Sequence, residues 1–165
     1  MSDSPLQIRP ATEHDVALVL EFIREIAEFE KLSHQVTATE ALLQDSLFGP
    51  SPGAEVLLAY QDDSPAAYAV FFHTFSTFLG KRGIWLEDLF VRPAFRRQGI
   101  GKALLQHIAS IAKERDCGRL EWAVLDWNTN AIEFYKGLGA EVLPDWRICR
   151  MTGAALDGLA APSAE

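Results

Sequence analysis

The sequence predicts an α/β fold in which a mixed, mostly antiparallel sheet is flanked by about four helices. Short runs with apolar residues at alternate positions, bounded by proline or glycine, indicate strands. Longer runs with apolar residues three and four apart indicate helices. The runs follow one another in the order β-α-α-β-β-β-α-β-α-β-β. Because 165 residues fit one domain, we expect a single domain over residues 5–152 and a loose tail over residues 153–165.

The first half of the chain predicts four strands and two helices. Residues 6–10 form a strand, and Thr12 with Asp15 forms a variant of the helix capping box. The helix that follows has one apolar face, made of Val16, Val19, Leu20, Ile23, Ile26 and Ala27. A second helix ends at Gly49. The remaining strands of this half are expected at residues 55–60, 67–75 and 84–91.

The second half predicts two helices and three strands. The helix after Pro93 has its own apolar face, made of Ile100, Leu104, Leu105, Ile108, Ile111 and Ala112. A strand at residues 119–125 and a short helix at residues 129–138 follow. Two closing strands are expected at residues 140–143 and 147–151. The segment from Gly153 onward is rich in small residues and proline, and so predicts the loose tail.

The formal net charge of −8 bears on the partners of the chain. An acidic surface repels phosphate backbones, so we expect no nucleic-acid partner. The same charge attracts cationic ligands such as amines, although acidity also serves solubility alone. No apolar run approaches the ~18–20 residues that span a bilayer, so no membrane partner is expected. The N-terminus lacks the pattern of a signal peptide, and a cytoplasmic location is expected.

Histidines and cysteines give no sign of a metal or of a nucleophile. The four histidines have no ligand spacing, so we expect no metal site. Two cysteines, Cys117 and Cys149, exclude a disulfide framework. Neither cysteine has the neighbours that activate a catalytic thiol.

Residues 91–102 are the most informative segment. A strand ends there and two glycines open a long helix, whose free amides and dipole favour an anion. The glycines and the nearby cations are Gly99, Gly101, Arg96, Arg97 and Lys102. A dinucleotide fingerprint would need a third glycine where Leu104 stands, and a Walker loop would need Ser or Thr where Ala103 stands. The segment is therefore either a different phosphate-binding loop or a plain turn with permissive glycines.

Three motifs resemble the GNAT superfamily of acetyltransferases. Arg96-x-x-Gly99-x-Gly101 resembles the acetyl-CoA loop of that family, R/Q-x-x-G-x-G/A. Residues 8–12 resemble its opening strand. Its late N…FYxxxG element is matched by Asn128, Phe134, Tyr135 and Gly139. The resemblance covers roughly residues 6–152 and implies the GNAT fold and an acetyl-CoA-dependent N-acetyltransferase.

A closer resemblance is to the diamine (spermidine/spermine) and thialysine acetyltransferases. It is carried by residues 26–30 and 85–91, by Trp127-Asn128 and by Trp146-Arg147. Those enzymes acetylate small polyamines or side-chain amines of amino acids. The resemblance therefore implies a small cationic amine as acceptor and a homodimer. Because neither cysteine has neighbours suited to nucleophilic catalysis, we expect direct transfer in a ternary complex rather than through an acetyl-cysteine.

Glu87 and Asp88 stand next to each other in an otherwise apolar strand. Strand alternation sends them to opposite faces unless a bulge intervenes. Carboxylates in such a place are costly unless they are paired or functional. They are either a site for the amine or an exposed or salt-bridged pair at the end of a strand.

The resemblance also implies the roles of individual residues. Glu87 would hold the amine and relay its proton, and Tyr135 would protonate the leaving thiolate. Cofactor contacts are expected from the backbone at Leu89, Phe90 and Val91, from Arg96, Arg97, Gln98, Gly99, Ile100, Gly101 and Lys102, and from Asn128 and Asn130. Acceptor contacts are expected from Phe29, Glu30, Glu87, Asp88, Glu121 and Trp122. Asn128 can also cap its helix, and Phe134 is expected to pack.

The resemblance is weaker on the acceptor side. Phe29 stands where the diamine enzymes carry a tyrosine, and residues 74–79 contain no acid where those enzymes have one. Pro144-Asp145 replaces an acidic pair. With fewer carboxylates, lysine- or thialysine-like acceptors fit as well as spermidine. A protein or peptide N-acetyltransferase and a non-catalytic acyl-CoA sensor stay open as alternatives.

Overall fold

The computed structural model describes residues 5–161, and the chain divides into two compact units, Met1–Ala123 and Val124–Glu165. The described elements of the first unit are, in order, β1 (Gln7–Pro10), α1 (Val16–Phe29), α2 (Glu40–Phe48), β2 (Glu55–Gln61), β3 (Ser64–Ser76), β4 (Lys81–Val91), α3 (Ile100–Glu114) and β5 (Leu120–Trp122). The second unit contains α4 (Thr129–Gly137) and α5 (Gly153–Ala160). The first nine elements confirm the predicted order.

The sheet of the first unit has the strand order β1-β2-β3-β4-β5. The first three pairs are antiparallel and the β4–β5 pair is parallel, which confirms a mixed, mostly antiparallel sheet. Asp62 and Asp63 join β2 to β3 with φ values of 49° and 60°. A two-residue hairpin loop needs such positive φ angles, and aspartate tolerates them better than most residues.

Helices α1 and α3 bury the apolar faces that their sequence periodicity predicts. On α3 the buried residues are Ile100, Leu104, Leu105, Ile108 and Ala112. The residues of α1 and of the sheet that form one buried cluster are Val19, Phe22, Ile26, Val56, Leu58, Tyr68 and Phe90. This cluster lies directly beneath the part of β4 that carries the two adjacent acids, and so fixes the position of that strand.

Two arginine clamps hold α1 against the sheet. Arg9 binds both carboxylate oxygens of Asp15 at 2.8 Å, and Asp15 also accepts the backbone N–H of Thr12 at 2.7 Å, which confirms the predicted capping interaction. Arg92, just after β4, binds Glu25 of α1 at 2.6 Å and Glu21 at 2.5 Å. The start and the middle of α1 are therefore tied to the sheet by charge-assisted hydrogen bonds.

Three predicted strands of the C-terminal part are wrong in whole or in part. Residues 140–143 and 147–151 are not strands, and the strand expected at residues 119–125 extends only over Leu120–Trp122. A strand must share its backbone hydrogen bonds with a neighbour, and no described residue of the second unit is in a strand. The tail expected to be loose contains the helix Gly153–Ala160, whose apolar and small residues suit a helix, and residues 162–165 of that tail lie outside the described part. Among the described residues, no helix is long and apolar enough to cross a membrane.

Candidate active site

The pairing register between β3 and β4 places a β-bulge at Glu87. Val70 pairs with Asp88, but the next residue, Phe71, pairs with Leu86, so Glu87 has no partner on β3. An extra residue of this kind interrupts the alternation of side chains along a strand. The sequence left this possibility open, and the bulge residue is itself one of the two adjacent acids.

Asp88 is held by a buried tyrosine on the neighbouring strand. The hydroxyl of Tyr68 donates a hydrogen bond of 2.5 Å to Oδ2 of Asp88, and Tyr68 itself is 0% exposed. Burial raises the pKa of Asp88, the negative charge of Glu87 raises it further, and the hydrogen bond from Tyr68 opposes both effects. Asp88 is thus a half-buried carboxyl beside another acid.

Glu30 and Glu87 complete an acidic group with Asp88, which we call the carboxylate triad. Glu30 is the residue at the C-terminal end of α1, and its pKa is raised by burial and then by the charges of Asp88 and Glu87. Glu87 is exposed and accepts a hydrogen bond of 2.9 Å from the indole Nε1–H of Trp85. The predicted acceptor residues Glu30, Glu87 and Asp88 are therefore close enough to repel one another.

The parallel pairing of β4 with β5 ends at Leu86, one residue before the bulge at Glu87. Ile84, Trp85 and Leu86 pair with Leu120, Glu121 and Trp122, and within residues 5–123 no strand continues this edge beyond Leu86. On its other side the strand stays paired with β3 as far as Val91. The backbone of the predicted cofactor residues 89–91 therefore has one edge that is unpaired within the first unit. Glu121 and Trp122, predicted to contact the acceptor, stand where this pairing ends.

The predicted anion loop has the backbone that its sequence favours. Gly99 caps α3 with φ of 81°, a conformation in which glycine is the preferred residue. The first hydrogen bond of the helix runs from Ala103 N–H to Gly99 C=O, so the amides of the residues before Ala103 have no acceptor inside the helix. A Cβ on Gly101 would stand 3.6 Å from a methyl group of Val91. The loop therefore presents free amides close to the end of β4.

Arg96 folds back onto the molecule. Its Nε–H donates a hydrogen bond of 2.9 Å to the carbonyl of Val91, and its guanidinium lies 5.0 Å from the ring centre of Phe29 and 5.5 Å from that of Phe90. The two rings contact each other with centres 6.4 Å apart. Arg96 therefore joins the anion loop to the strand end and to the C-terminal end of α1.

The remaining predicted site residues lie in the second unit. Asn128 caps α4 by accepting a hydrogen bond of 3.3 Å from the N–H of Ala131, as its position predicts. Asn130 and Tyr135 belong to the same helix, and the ring of Tyr135 lies 5.4 Å from that of Phe134. The helix is followed by Gly139, with φ of 93°, which suits a helix end.

Two residues near the triad were missed by sequence reasoning. Tyr68 resembles any other buried strand residue, and only the strand register brings it to Asp88. Trp85 belongs to the segment that carries the family resemblance, but its hydrogen bond to Glu87 was not predicted. The available signal was an indole N–H donor two positions before an acid. Two pockets of about 320 and 340 Å³ contain no predicted site residue, so concavity alone does not locate the site. In the described part of the chain, no cluster of three or more potential ligands could hold a metal ion.

Comparison with known proteins identifies the family. A model of the acetyltransferase (GNAT) family matches residues 20–140. The chain belongs to this family. This acetyltransferase is 39% identical over 166 residues to the thialysine N-epsilon-acetyltransferase of Bos taurus, a match that covers 94% of this chain and 97% of that protein. It is 33% identical over 198 residues to L-ornithine N5-acetyltransferase NATA1 of Arabidopsis thaliana, a match that covers 93% of this chain and 87% of that protein.

A solved structure agrees with these relatives. The acetyltransferase superposes on an integron cassette protein from the mobile metagenome of V. cholerae with a TM-score of 0.79 and 28% identity, covering 95% of this chain and 98% of that one. The GNAT fold, the family and the likeness to the thialysine and spermidine/spermine subfamily are therefore confirmed. The chain is an N-acetyltransferase.

Proposed function

We propose that this enzyme uses acetyl-CoA to acetylate a primary amine of a small cationic acceptor, such as a diamine or a thialysine- or lysine-like amino acid. The carboxylate triad carries the proposal. Two of its members, Glu87 and Asp88, stand at the β-bulge of β4. The edge of β4 just beyond them is unpaired within the first unit, and the anion loop follows the end of the same strand. The names of the most similar relatives, which act on thialysine and on ornithine, support the same class of acceptor.

The triad differs from the acids that fasten the elements of its unit together. Asp15, Glu25 and Glu55 each bind an arginine at 2.8 Å or less. None of the ion pairs described for the first unit involves Glu30, Glu87 or Asp88. Three carboxylates that repel one another are stabilised when a cation enters. A protonated amine provides that charge and also forms hydrogen bonds.

The chemistry follows from the state of that amine. With a pKa near 10.4, only about one alkylamine in a few thousand is neutral at pH 7, so a proton must leave before or during attack. In our proposal Glu87 receives it, through water. The amine nitrogen then bonds to the thioester carbonyl carbon, and the carbonyl oxygen gains charge that the backbone N–H at Leu89 stabilises. Collapse of this intermediate breaks the C–S bond and releases the thiolate of coenzyme A, while the nitrogen loses its second proton to water and becomes the neutral amide.

Binding of acetyl-CoA is assigned to backbone groups. The unpaired edge of residues 89–91 suits the amide groups of the pantetheine arm, which can add to it like a strand. The free amides of Gly99, Gly101 and Lys102 suit the pyrophosphate. Arg97 and Gln98 would border that site, while the contacts of Arg96 support a role in holding the loop rather than in touching the anion.

The roles of Tyr135, Asn128 and Asn130 rest on the family resemblance. A phenol stays protonated at neutral pH and can donate its proton to the departing thiolate. Asn128 and Asn130 would bind the pantetheine arm. We further propose a cytoplasmic homodimer. In its favour, apolar side chains of the second unit are exposed, including Val142, Leu143, Trp146 and Ile148.

A thiol-release assay across acceptors tests the proposal. Purified enzyme is given acetyl-CoA with putrescine, spermidine, lysine, thialysine, ornithine and a set of peptides. We expect turnover of at least one small amine, with the amino acids equal to or better than spermidine. Peptides turned over far faster than every small amine would refute the acceptor class. No transfer to any acceptor, together with tight acetyl-CoA binding, would favour an acyl-CoA sensor.

A further inference from the structure

The position of the Tyr68 hydroxyl is fixed by the core of the first unit. The side chain is 0% exposed, and its ring stacks on that of Phe22 with centres 4.9 Å apart and planes 7° apart. Phe22 is itself 0% exposed, and the guanidinium of Arg92 covers its ring at 4.5 Å. Arg92 is in turn bound to Glu25. A ring held on its face in this way leaves the hydroxyl little freedom.

The hydroxyl reaches one oxygen of Asp88 and leaves the other available. Tyr68 donates to Oδ2, and among the described residues no donor is bonded to Oδ1. Asp88 directly follows the bulge residue Glu87, and at a bulge the side chains of a strand no longer alternate regularly between the two faces of the sheet. Without a fixed partner, a half-buried carboxylate at a bulge could turn away from the charges around it.

We propose that Tyr68 is a positioning residue for the acceptor site, holding Asp88 so that its Oδ1 receives the ammonium group of the substrate. The inference rests on the proposed function, because it assumes that the triad binds a cationic amine. Tyr68 touches neither substrate nor cofactor in this role. It acts through Asp88, and its contribution is to binding geometry more than to proton transfer.

The same hydrogen bond predicts a pH dependence. The groups that face Asp88 are Glu87 on its own strand, Tyr68 on β3, and Glu30 on α1, with Glu25 of α1 close to Tyr68. Burial and the charge of Glu87 raise the pKa of Asp88, and the bond from Tyr68 lowers it. Losing the hydroxyl therefore raises the pKa of Asp88 further. The carboxylate would then be lost at a higher pH, and cation binding with it.

The test compares Tyr68→Phe with Tyr60→Phe. Tyr60 lies on β2 and its hydroxyl accepts a hydrogen bond from Arg9, away from the triad, so this control also loses a hydroxyl bonded to a charged group. We expect Tyr68→Phe to raise KM for the best amine by about tenfold or more, the usual effect of losing a hydrogen bond to a charge, with a smaller change in kcat. The acidic limb of the kcat/KM profile should move to higher pH. Acetyl-CoA affinity should not change, and Tyr60→Phe should keep wild-type KM and profile.

A double-mutant cycle separates positioning from packing. If Tyr68 acts through Asp88, Tyr68→Phe has little further effect on KM when Asp88→Asn is already present. Additive effects, or a Tyr68→Phe enzyme with wild-type KM and pH profile, would overturn the inference. If Tyr68→Phe does not fold, Asp88→Asn alone decides: a wild-type KM or an unshifted acidic limb in that variant would overturn the inference. A wild-type enzyme inactive on every amine would instead refute the proposed function.

Discussion

Two groups of carboxylates in the first unit have opposite surroundings. Asp15, Glu25 and Glu55 each bind an arginine that fastens one element to another. The triad of Glu30, Glu87 and Asp88 belongs to none of the described ion pairs, and burial and mutual repulsion raise the pKa of Glu30 and of Asp88. The arginine-bound acids therefore hold the fold together, whereas Glu30 and Asp88 cost stability when they are ionised. Partial burial without an ion pair distinguishes these two acids from the exposed acids of the unit.

The largest expected effect comes from the triad. Glu87→Gln keeps the shape of the side chain but removes both the charge and the proton acceptor. We expect kcat to fall roughly 10²–10⁴-fold, the usual contribution of a general base, without loss of thermal stability. Glu28→Gln, an exposed acid on α1, is the matched control and should behave as wild type. A wild-type kcat for Glu87→Gln, measured where chemistry limits the rate, would remove Glu87 from the mechanism.

The second prediction breaks the arginine-bound group. Arg92→Met should lower the free energy of unfolding by about 1–3 kcal/mol, because partly buried Glu25 loses its partner. Urea denaturation measures the difference, and Arg24→Met, which removes an exposed arginine of α1, is the control. Arg92→Lys should recover only part of the loss, because lysine cannot form the forked contact. Equal stability of the Arg92 and Arg24 variants would contradict the clamp.

Glu30→Gln should separate binding from stability. The substitution removes the negative charge of Glu30, which in our proposal binds the amine, and leaves the proton acceptor Glu87 in place. KM for the amine should therefore rise several-fold at nearly constant kcat. Because the pKa of Glu30 is raised in the folded protein, its ionisation costs stability at neutral pH. The variant should therefore melt at a slightly higher temperature than wild type at pH 7. A lower melting temperature would mean that Glu30 has a stabilising partner.

The smallest expected effect is the pH dependence of stability at Asp15. Its sign is opposite to that of Glu30, because folding lowers the pKa of Asp15 and raises that of Glu30. The hydrogen bond from Arg9 holds the pKa of Asp15 well below its ordinary value. Asp15 thus contributes stability at neutral pH that is lost as the pH falls below about 4, the ordinary pKa of an unfolded aspartate. Asp15→Asn should be less stable than wild type at pH 7, and the gap should narrow at pH 3. A gap that stays constant would show that Asp15 acts only as a neutral cap.

Sequence reasoning succeeded where the information is local. The periodicity of α1 and α3, the glycines at the start of α3 and the pair of acids in β4 are each readable within a few residues. The bulge was not predictable, because it depends on how β3 and β4 align, and Tyr68 is twenty positions from its partner Asp88. The prediction of strands at residues 140–143 and 147–151 was wrong, because an apolar pattern forms a strand only where a neighbouring strand accepts its backbone hydrogen bonds.

The edge of β4 that is unpaired within the first unit has a consequence for solubility. A strand whose backbone groups are unpaired is a template on which a strand of another molecule can add, and proteins protect such edges with bulges and charged side chains. Here the bulge and two adjacent acids stand where the edge opens, just beyond Leu86. The charges of Glu87 and Asp88 therefore also discourage another strand from adding to this edge. Engineering this enzyme toward uncharged acceptors by removing both acids would weaken that protection.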